Sequence, residues 1–233
     1  VNTFFEFNKI DYCINCAAYT AVDIAEDEAD KAFLINAKAV KNLAEVCKNA
    51  GAVLIHVSTD FVFDGTKTTP YTETDRPNPQ SVYGRSKLQG ETYIQEIWDE
   101  HFIVRTSWLY SEYGNNFVKT MLRLAETRDE ISVVNDQIGS PTYARDLASF
   151  LLEIIHANSK KYGIYHYSNE GSISWYDFAV EIFKQHKKAI RVIPIPTNAH
   201  PTAVKRPAYS VMDLTKAKIT FGNTIPFWKQ RII

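Results

Sequence analysis

Ala52-Val53-Leu54-Ile55-His56-Val57-Ser58 is followed by Thr59, by a loop, and then by Tyr83-Gly84-Arg85-Ser86-Lys87. The first run is short and mostly apolar, which predicts a strand buried in a sheet. Residues 60–79 are rich in Asp, Gly, Thr and Pro and read as loop. Residues 79–98 read as a helix. Strand, loop and returning helix are the repeating unit of a parallel α/β sheet.

The same alternation continues in both directions. Residues 11–18 (DYCINCAA) predict another buried strand. Residues 26–50 predict an amphipathic helix, with Ala29, Phe33, Val40, Leu43, Ala44 and Cys47 on one stripe and Gly51 as its C-terminal cap. The acidic run Glu26, Asp27, Glu28 and Asp30 is expected to favour the start of that helix through its dipole. Further strands are expected at 101–107, 131–135, 163–168 and 191–195. Helices are expected at 116–128, at 145–157 and at 174–187, the last with Ser174 as N-cap. Pro-punctuated irregular chain follows to the end. The pattern predicts a doubly wound parallel sheet with helices on both faces and ligands at the carboxyl ends of its strands. Residues 1–170 are expected to form the main domain, part of 111–142 and all of 171–233 a smaller substrate lobe.

Composition narrows the function. The chain has 233 residues, 45% of them apolar, with 26 Lys and Arg against 27 Asp and Glu. That balance argues against nucleic-acid or membrane attraction as a driving partner. No apolar run reaches the ~18 residues of a membrane span, and no secretory leader is legible. Three cysteines make no disulfide framework, so a soluble, reducing, cytoplasmic setting is expected. In Cys13-x-x-Cys16 the two thiols should point to opposite faces of a strand, as buried structural cysteines. The six histidines show no metal-ligand spacing, and no metal is expected.

Tyr83 and Lys87 stand at i and i+4 on one helix face. A nearby ammonium is expected to lower the tyrosine pKa and ready it for proton transfer. Thr59 lies at the carboxyl end of a buried strand, where its hydroxyl would meet a substrate oxygen. Asp60 is either a further substrate contact or the start of an Asx-turn with Asp64 and Gly65. Trp108 is a ligand contact or a core aromatic, and Arg206 meets a substrate phosphate or caps the smaller lobe.

Thr59 with Tyr83-x-x-x-Lys87 resembles the catalytic set of the extended short-chain dehydrogenase/reductases. The wider text is similar to their dTDP-4-dehydrorhamnose reductase family. The matching stretches are CAAYTAVDIAE (16–26), STDFVFDG (58–65), YGRSKLQGE (83–91), RTSWLY (105–110), GNNFV (114–118), DQIGSPTYARDLA (136–148) and RPAYSVMD (206–213). The resemblance implies a Rossmann-like fold and reduction of the C4 ketone of dTDP-4-dehydro-L-rhamnose by NADPH or NADH. It assigns Tyr83 as proton donor, and Lys87 as the residue that holds the nicotinamide ribose and depresses the Tyr83 pKa. Thr59 would bond the reacting carbonyl, Ala17, Ala18 and Tyr19 would pass beside the cofactor, and Asp60 and Trp108 would contact the sugar nucleotide. Asp60-Phe61 stands where related 4,6-dehydratases carry Asp-Glu, which favours a simple reductase. Two alternatives stay open: another nucleotide-sugar reductase or epimerase, and a non-catalytic subunit similar to methionine adenosyltransferase beta. A homodimer is also left open. The family's Gly-rich pyrophosphate turn has no counterpart here, since Gly51 is the first glycine. Residues 1–9 read as the tail of a helix. The sheet is therefore expected to be N-terminally incomplete, to expose 11–18 as an edge strand, and to bind dinucleotide weakly.

Overall fold

The computed structural model describes the backbone of residues 1–233 and every side chain but that of Asn2. Its elements run α1 (Asn2–Phe7), β1 (Tyr12–Asn15), α2 (Ala29–Phe33), a π-helical segment (Leu34–Lys38), α3 (Ala39–Ala50), β2 (Val53–Thr59), α4 (Val82–Ile97) and β3 (His101–Thr106). Then follow α5 (Phe117–Leu124), β4 (Glu130–Val134), α6 (Ala144–His156), β5 (Gly163–His166), α7 (Trp175–Gln185), β6 (Arg191–Ile195) and α8 (Thr215–Phe221). The main sheet is parallel, in the order β1-β2-β3-β5, so β1 is an edge strand. All six residues of β3 are buried, as expected for a central strand covered on both faces.

Strand alternation divides the apolar side chains between two layers. Leu54 and Ile103 pack with Val40, Ala44 and Cys47 of α3 and Ile94 of α4. Ile55, Phe102, Val104 and Tyr165 point the other way, onto Leu147, Phe150, Leu151 and Ile154 of α6 and Ala217 of α8. A separate core lies outside this sheet. It joins Val118 and Met121 of α5, Ile131 and Val133 of β4, Phe178 and Ile182 of α7, and Trp228. Here β4 and β6 form their own parallel pair, with Glu130 opposite Arg191. Residues 171–233 are thus shared between the cores: α7, β6 and Trp228 build the second, and α8 packs on the first.

Four local expectations need correction. The helix expected from Glu26 starts at Ala29, behind a separate 3-10 turn, and carries the π-helical segment in its middle. Glu26 does not serve its own helix. Its carboxylate accepts from Val82 N at 2.8 Å and so caps α4 from a distance, where the dipole favours an anion. The irregular C-terminal chain contains α8, because Ala217 and Phe221 reach the sheet core one turn apart. Cys16 is exposed, not a buried structural cysteine, since the chain has left β1 by then; half-buried Cys13 and buried Cys47 are neighbouring free thiols.

The π segment and α4 approach closely because residue 90 is glycine. A Cβ at Gly90 would stand 2.2 Å from Asn36 O, and one at Gly84 would stand 2.3 Å from Phe61 O. Helix-interior Gly→Ala ordinarily stabilises by about 1 kcal/mol. Here Gly90→Ala should destabilise the fold by about 1–3 kcal/mol through overpacking. A denaturant midpoint at or above that of the unmodified chain would contradict the close contact.

Candidate active site

Helix α4 begins at Ser81, whose Oγ accepts from Gly84 N at 3.0 Å. It then presents Tyr83, Lys87, Glu91 and Ile94, all buried, on the face toward β2. The even-numbered residues of β2 meet this stripe. Lys87 Nζ donates to Val57 O at 2.7 Å and stands 3.3 Å from His56 Nε2. Ser58 Oγ donates to Glu91 Oε1 at 2.5 Å. Glu91 also takes a forked pair of bonds from Arg105 on β3, at 3.0 Å from Nε and 2.6 Å from Nη2. Both ends of this ion pair are almost wholly buried. Such burial is tolerated because the planar guanidinium satisfies both carboxylate oxygens.

At the carboxyl end of β2 the chain turns through Asp60–Val62. Thr59 Oγ1 accepts from Phe61 N at 3.2 Å and donates to Asp60 Oδ1 at 3.1 Å. Tyr83 comes to the same point, with its phenol beside the Thr59 side chain. The expected lowering of the Tyr83 pKa by Lys87 is not found. Burial pushes the phenol up to about 12, with the Thr59 bond opposing and the Asp60 charge adding to the rise. The lysine's head is turned to Val57 O and His56, and burial brings its ammonium down to about 8 against the pull of Glu91 and Cys16. Burial likewise pushes Asp60 up to about 6, although Ser210, Thr59 and backbone donors oppose this. Asp60 is thus no Asx-turn residue; that role falls to Asp64, which takes Thr66 N at 3.0 Å. Asp60 Oδ2 is buried and has no hydrogen-bond partner among the described residues.

The loop after β1 runs beside Lys87. Asn15 Oδ1 accepts from Ala17 N at 3.1 Å. Buried Asn36, on the π segment, holds Tyr19 at both backbone groups (N at 2.8 Å, O at 3.0 Å) and reaches Ser86 Oγ at 3.0 Å. Ala17 is exposed and Ala18 half-buried, so the loop offers small side chains on a fixed backbone. That surface, with the Lys87 donors at its back, fits a flat cofactor lying over the strand ends.

Trp108 sits further out, half-buried with φ 47°. It stacks on Trp175 with ring centroids 3.4 Å apart, and Trp175 packs on Phe117 at 4.5 Å. Trp175 and Phe117 line a cavity of about 530 Å³ that Arg128, Gln137, His200 and Arg206 also face. Arg206 Nη2 is bonded to Asp23 Oδ2 at 2.6 Å, which ties the C-terminal segment to the loop after β1. Thr59, Asp60, Tyr83 and Lys87 therefore gather at one end of β2 and α4, Ala17–Tyr19 lie beside them, Arg206 faces the neighbouring cavity, and Trp108 touches that cavity's wall only through its stack on Trp175. Sequence reading missed Asn15, Asn36, His56, Glu91, Arg105 and Trp175. The available signal was polar residues inside apolar strand and helix runs, His56 and Arg105 above all.

A strand-end threonine, a helical Tyr-x-x-x-Lys and an exposed loop over a parallel sheet define a short-chain-type reductase site. The model of the family described as "RmlD substrate binding domain" matches residues 1–233. The chain belongs to that family. It is 47% identical to a dTDP-4-dehydrorhamnose reductase of Aggregatibacter actinomycetemcomitans, over 96% of this chain and 80% of that one. The same-named protein of Escherichia coli K12 is 42% identical over 94% of this chain and 76% of its own. A crystal structure of a dTDP-4-dehydrorhamnose reductase from Bacillus anthracis, in complex with NADP, superposes with a TM-score of 0.96 at 43% identity. It covers 99% of this chain, which spans 82% of it. Among the described residues no helix is long and apolar enough to cross a membrane.

Asp60 makes the fold's pH response specific. Its folded pKa of about 6 exceeds the ordinary ~4 of an aspartate. The stability it contributes is full below about pH 4 and is lost as pH rises through about 6, by roughly 3 kcal/mol at most. Asp60→Asn should therefore gain on the unmodified chain steadily between pH 4 and 7 in urea melts. A stability difference that stays flat over this range would show that Asp60 titrates normally.

Proposed function

We propose that this chain reduces the C4 ketone of dTDP-4-dehydro-L-rhamnose to dTDP-L-rhamnose with NADPH or NADH. The observation that carries the reading is the gathering of buried Tyr83 and Lys87 of α4 with buried Thr59 at the end of β2. A reduction needs a proton donor at the substrate oxygen, and a phenol at the strand end carries its proton at neutral pH. The similarity to dTDP-4-dehydrorhamnose reductases, one of them solved with NADP, supports the substrate and the cofactor.

The reduced nicotinamide supplies the hydride. Everything else falls to this chain's own groups. Tyr83 donates its proton to the developing alkoxide. Thr59 turns its single proton from Asp60 Oδ1 to the carbonyl oxygen and holds it within reach of Tyr83. Asp60 Oδ2, buried and unpartnered among the described residues, accepts from a sugar hydroxyl. Lys87 would hold the cofactor ribose, and Ala17, Ala18 and Tyr19 would lie along it. Trp175 and Phe117 offer aromatic faces to the thymine base, and Trp108 stiffens that wall through its stack. Arg128 and Arg206 face the same cavity and would meet the diphosphate, Arg206 exchanging Asp23 for it. The cytoplasm, where NAD(P)H and sugar nucleotides are made and used, is the setting this chemistry calls for.

Tyr83→Phe removes one oxygen and leaves the ring in place. NADPH oxidation driven by the keto-sugar nucleotide should fall by about 10²–10⁴-fold, and calorimetric dTDP binding should persist. Turnover within a few-fold of the unmodified protein would remove Tyr83 from the mechanism.

A further inference from the structure

The cavity beside the reductase site has one polar wall residue that no step above uses. Gln137 lines it together with Phe117 and Trp175, and is 5% exposed. It follows the end of β4, as Thr197 follows the end of β6, and these strands run as a parallel pair with Val134 opposite Ile195. Their neighbouring ends bring the two side chains together, with Gln137 Nε2 3.1 Å from Thr197 Oγ1.

An amide can be turned end for end, so its partner must decide which end faces the cavity. The deciding group is Asp136. Its carboxylate takes Thr197 N at 2.9 Å on both oxygens, and Thr197 Oγ1 at 2.5 Å. Desolvation opposes the charge on Asp136, but these bonds outweigh it and hold the carboxyl below the ordinary aspartate value. An ionised carboxylate only accepts. The single hydroxyl proton of Thr197 therefore goes to Asp136, and Thr197 Oγ1 presents a lone pair to Gln137. Only the nitrogen end of the amide can meet it. The oxygen end is left over. Gln137 Oε1 has no hydrogen-bond partner among the described residues and keeps its access to solvent, which for this residue is the cavity. A ligand group that fits an oxygen held there must carry a proton.

We propose that Gln137 reads the base of the nucleotide in this cavity: its Oε1 accepts from the ring N–H of thymine or uracil, and Thr197, clamped by Asp136, keeps the amide nitrogen from taking that place. Gln137 is then the specificity-determining residue, and Thr197 and Asp136 position it. Cytosine has the same ring size, but it carries a bare lone pair at the ring nitrogen where uracil carries a proton. It sets acceptor against acceptor. A site built around one hydrogen bond rejects the base that cannot make it more strongly than shape alone does. All of this rests on the reading of the cavity as the nucleotide site.

The test is calorimetric binding of dUDP and dCDP, two diphosphates of equal size, to the unmodified protein. The affinity for dCDP should be at least tenfold weaker. Equal affinities, or no binding of either nucleotide, overturn the proposal. Thr197→Val keeps the shape of the side chain and removes its oxygen. The Gln137 amide is then free to turn its nitrogen to the cavity, and the preference should shrink to within threefold as dCDP gains. Gln137→Leu should also erase it, as dUDP loses its acceptor. A tenfold preference that survives both substitutions counts against the proposal. If neither variant folds, as judged by circular dichroism, the comparison on the unmodified protein decides alone. No arm measures turnover, so an active Tyr83→Phe protein would sink the reductase reading and leave the base preference standing.

Discussion

The ion pair between Glu91 and Arg105 fixes how deeply α4 sits on the sheet. Both side chains are buried, and they are joined by a forked bond that also takes Ser58. Two charges removed from water hold only when they engage each other closely; here the fork and Ser58 fill the Glu91 carboxylate, while Arg105 Nη1 has no hydrogen-bond partner among the described residues. Small displacements of α4 along β2 would break that fork and leave a buried charge exposed to an apolar layer. The pair thus locks helix to strand at one register. Tyr83 and Lys87, two turns and one turn earlier on the same stripe, inherit their places from it. Gly84 and Gly90 permit the close approach, since a methyl group at either would collide with backbone oxygen.

This burial also explains why the titratable groups around the strand end drift toward their neutral forms. Tyr83 and Asp60 are pushed up, and Lys87 and His56 are pushed down, in every case with desolvation as the largest cause. Low-dielectric surroundings penalise an isolated charge whatever its sign. For a hydride acceptor this is an asset. The oxygen that gains negative charge during reduction would meet hydroxyl donors that already carry their protons.

The fold was legible because it is written in local patterns. Apolar runs at 52–58 and 101–107 could only be central strands, and Asn116 and Ser174 are capping residues at the helix starts where they stand. Thr59, Tyr83 and Lys87 were legible because their spacing is set within one strand end and one helix face. What stayed hidden depends on contacts between distant segments. Glu26 reads as an acid at a helix start, and its partner is Val82 N, 56 residues away. Asn36 reads as an ordinary helical residue, and its role as a clamp on Tyr19 needs the π segment to turn it toward α4. Helix α8 is short and weakly patterned, and it forms because Ala217 and Phe221 find the sheet core. His56 looked like one more core histidine until Asn15 and Lys87 were seen on its two nitrogens.

The link between the two cores follows a different logic from the docking of α4. Ser107 Oγ donates to Ser140 O at 2.7 Å, and Thr142 N donates to Trp108 O at 3.1 Å, so the chain leaving β3 is stitched at once to the segment after β4. Trp108 itself adopts a left-handed backbone conformation with φ 47°. A side chain there costs about 1–2 kcal/mol, which must be offset locally. The near-parallel stack on Trp175 supplies that offset. It also transmits the turn of the chain at the end of β3 to the first residue of α7. The cavity wall is therefore positioned by the same strand end whose neighbour carries Thr59. A single pair of adjacent parallel strands, with Thr59 opposite Thr106, positions both the corner where Thr59 and Tyr83 meet and the aromatic wall of the cavity.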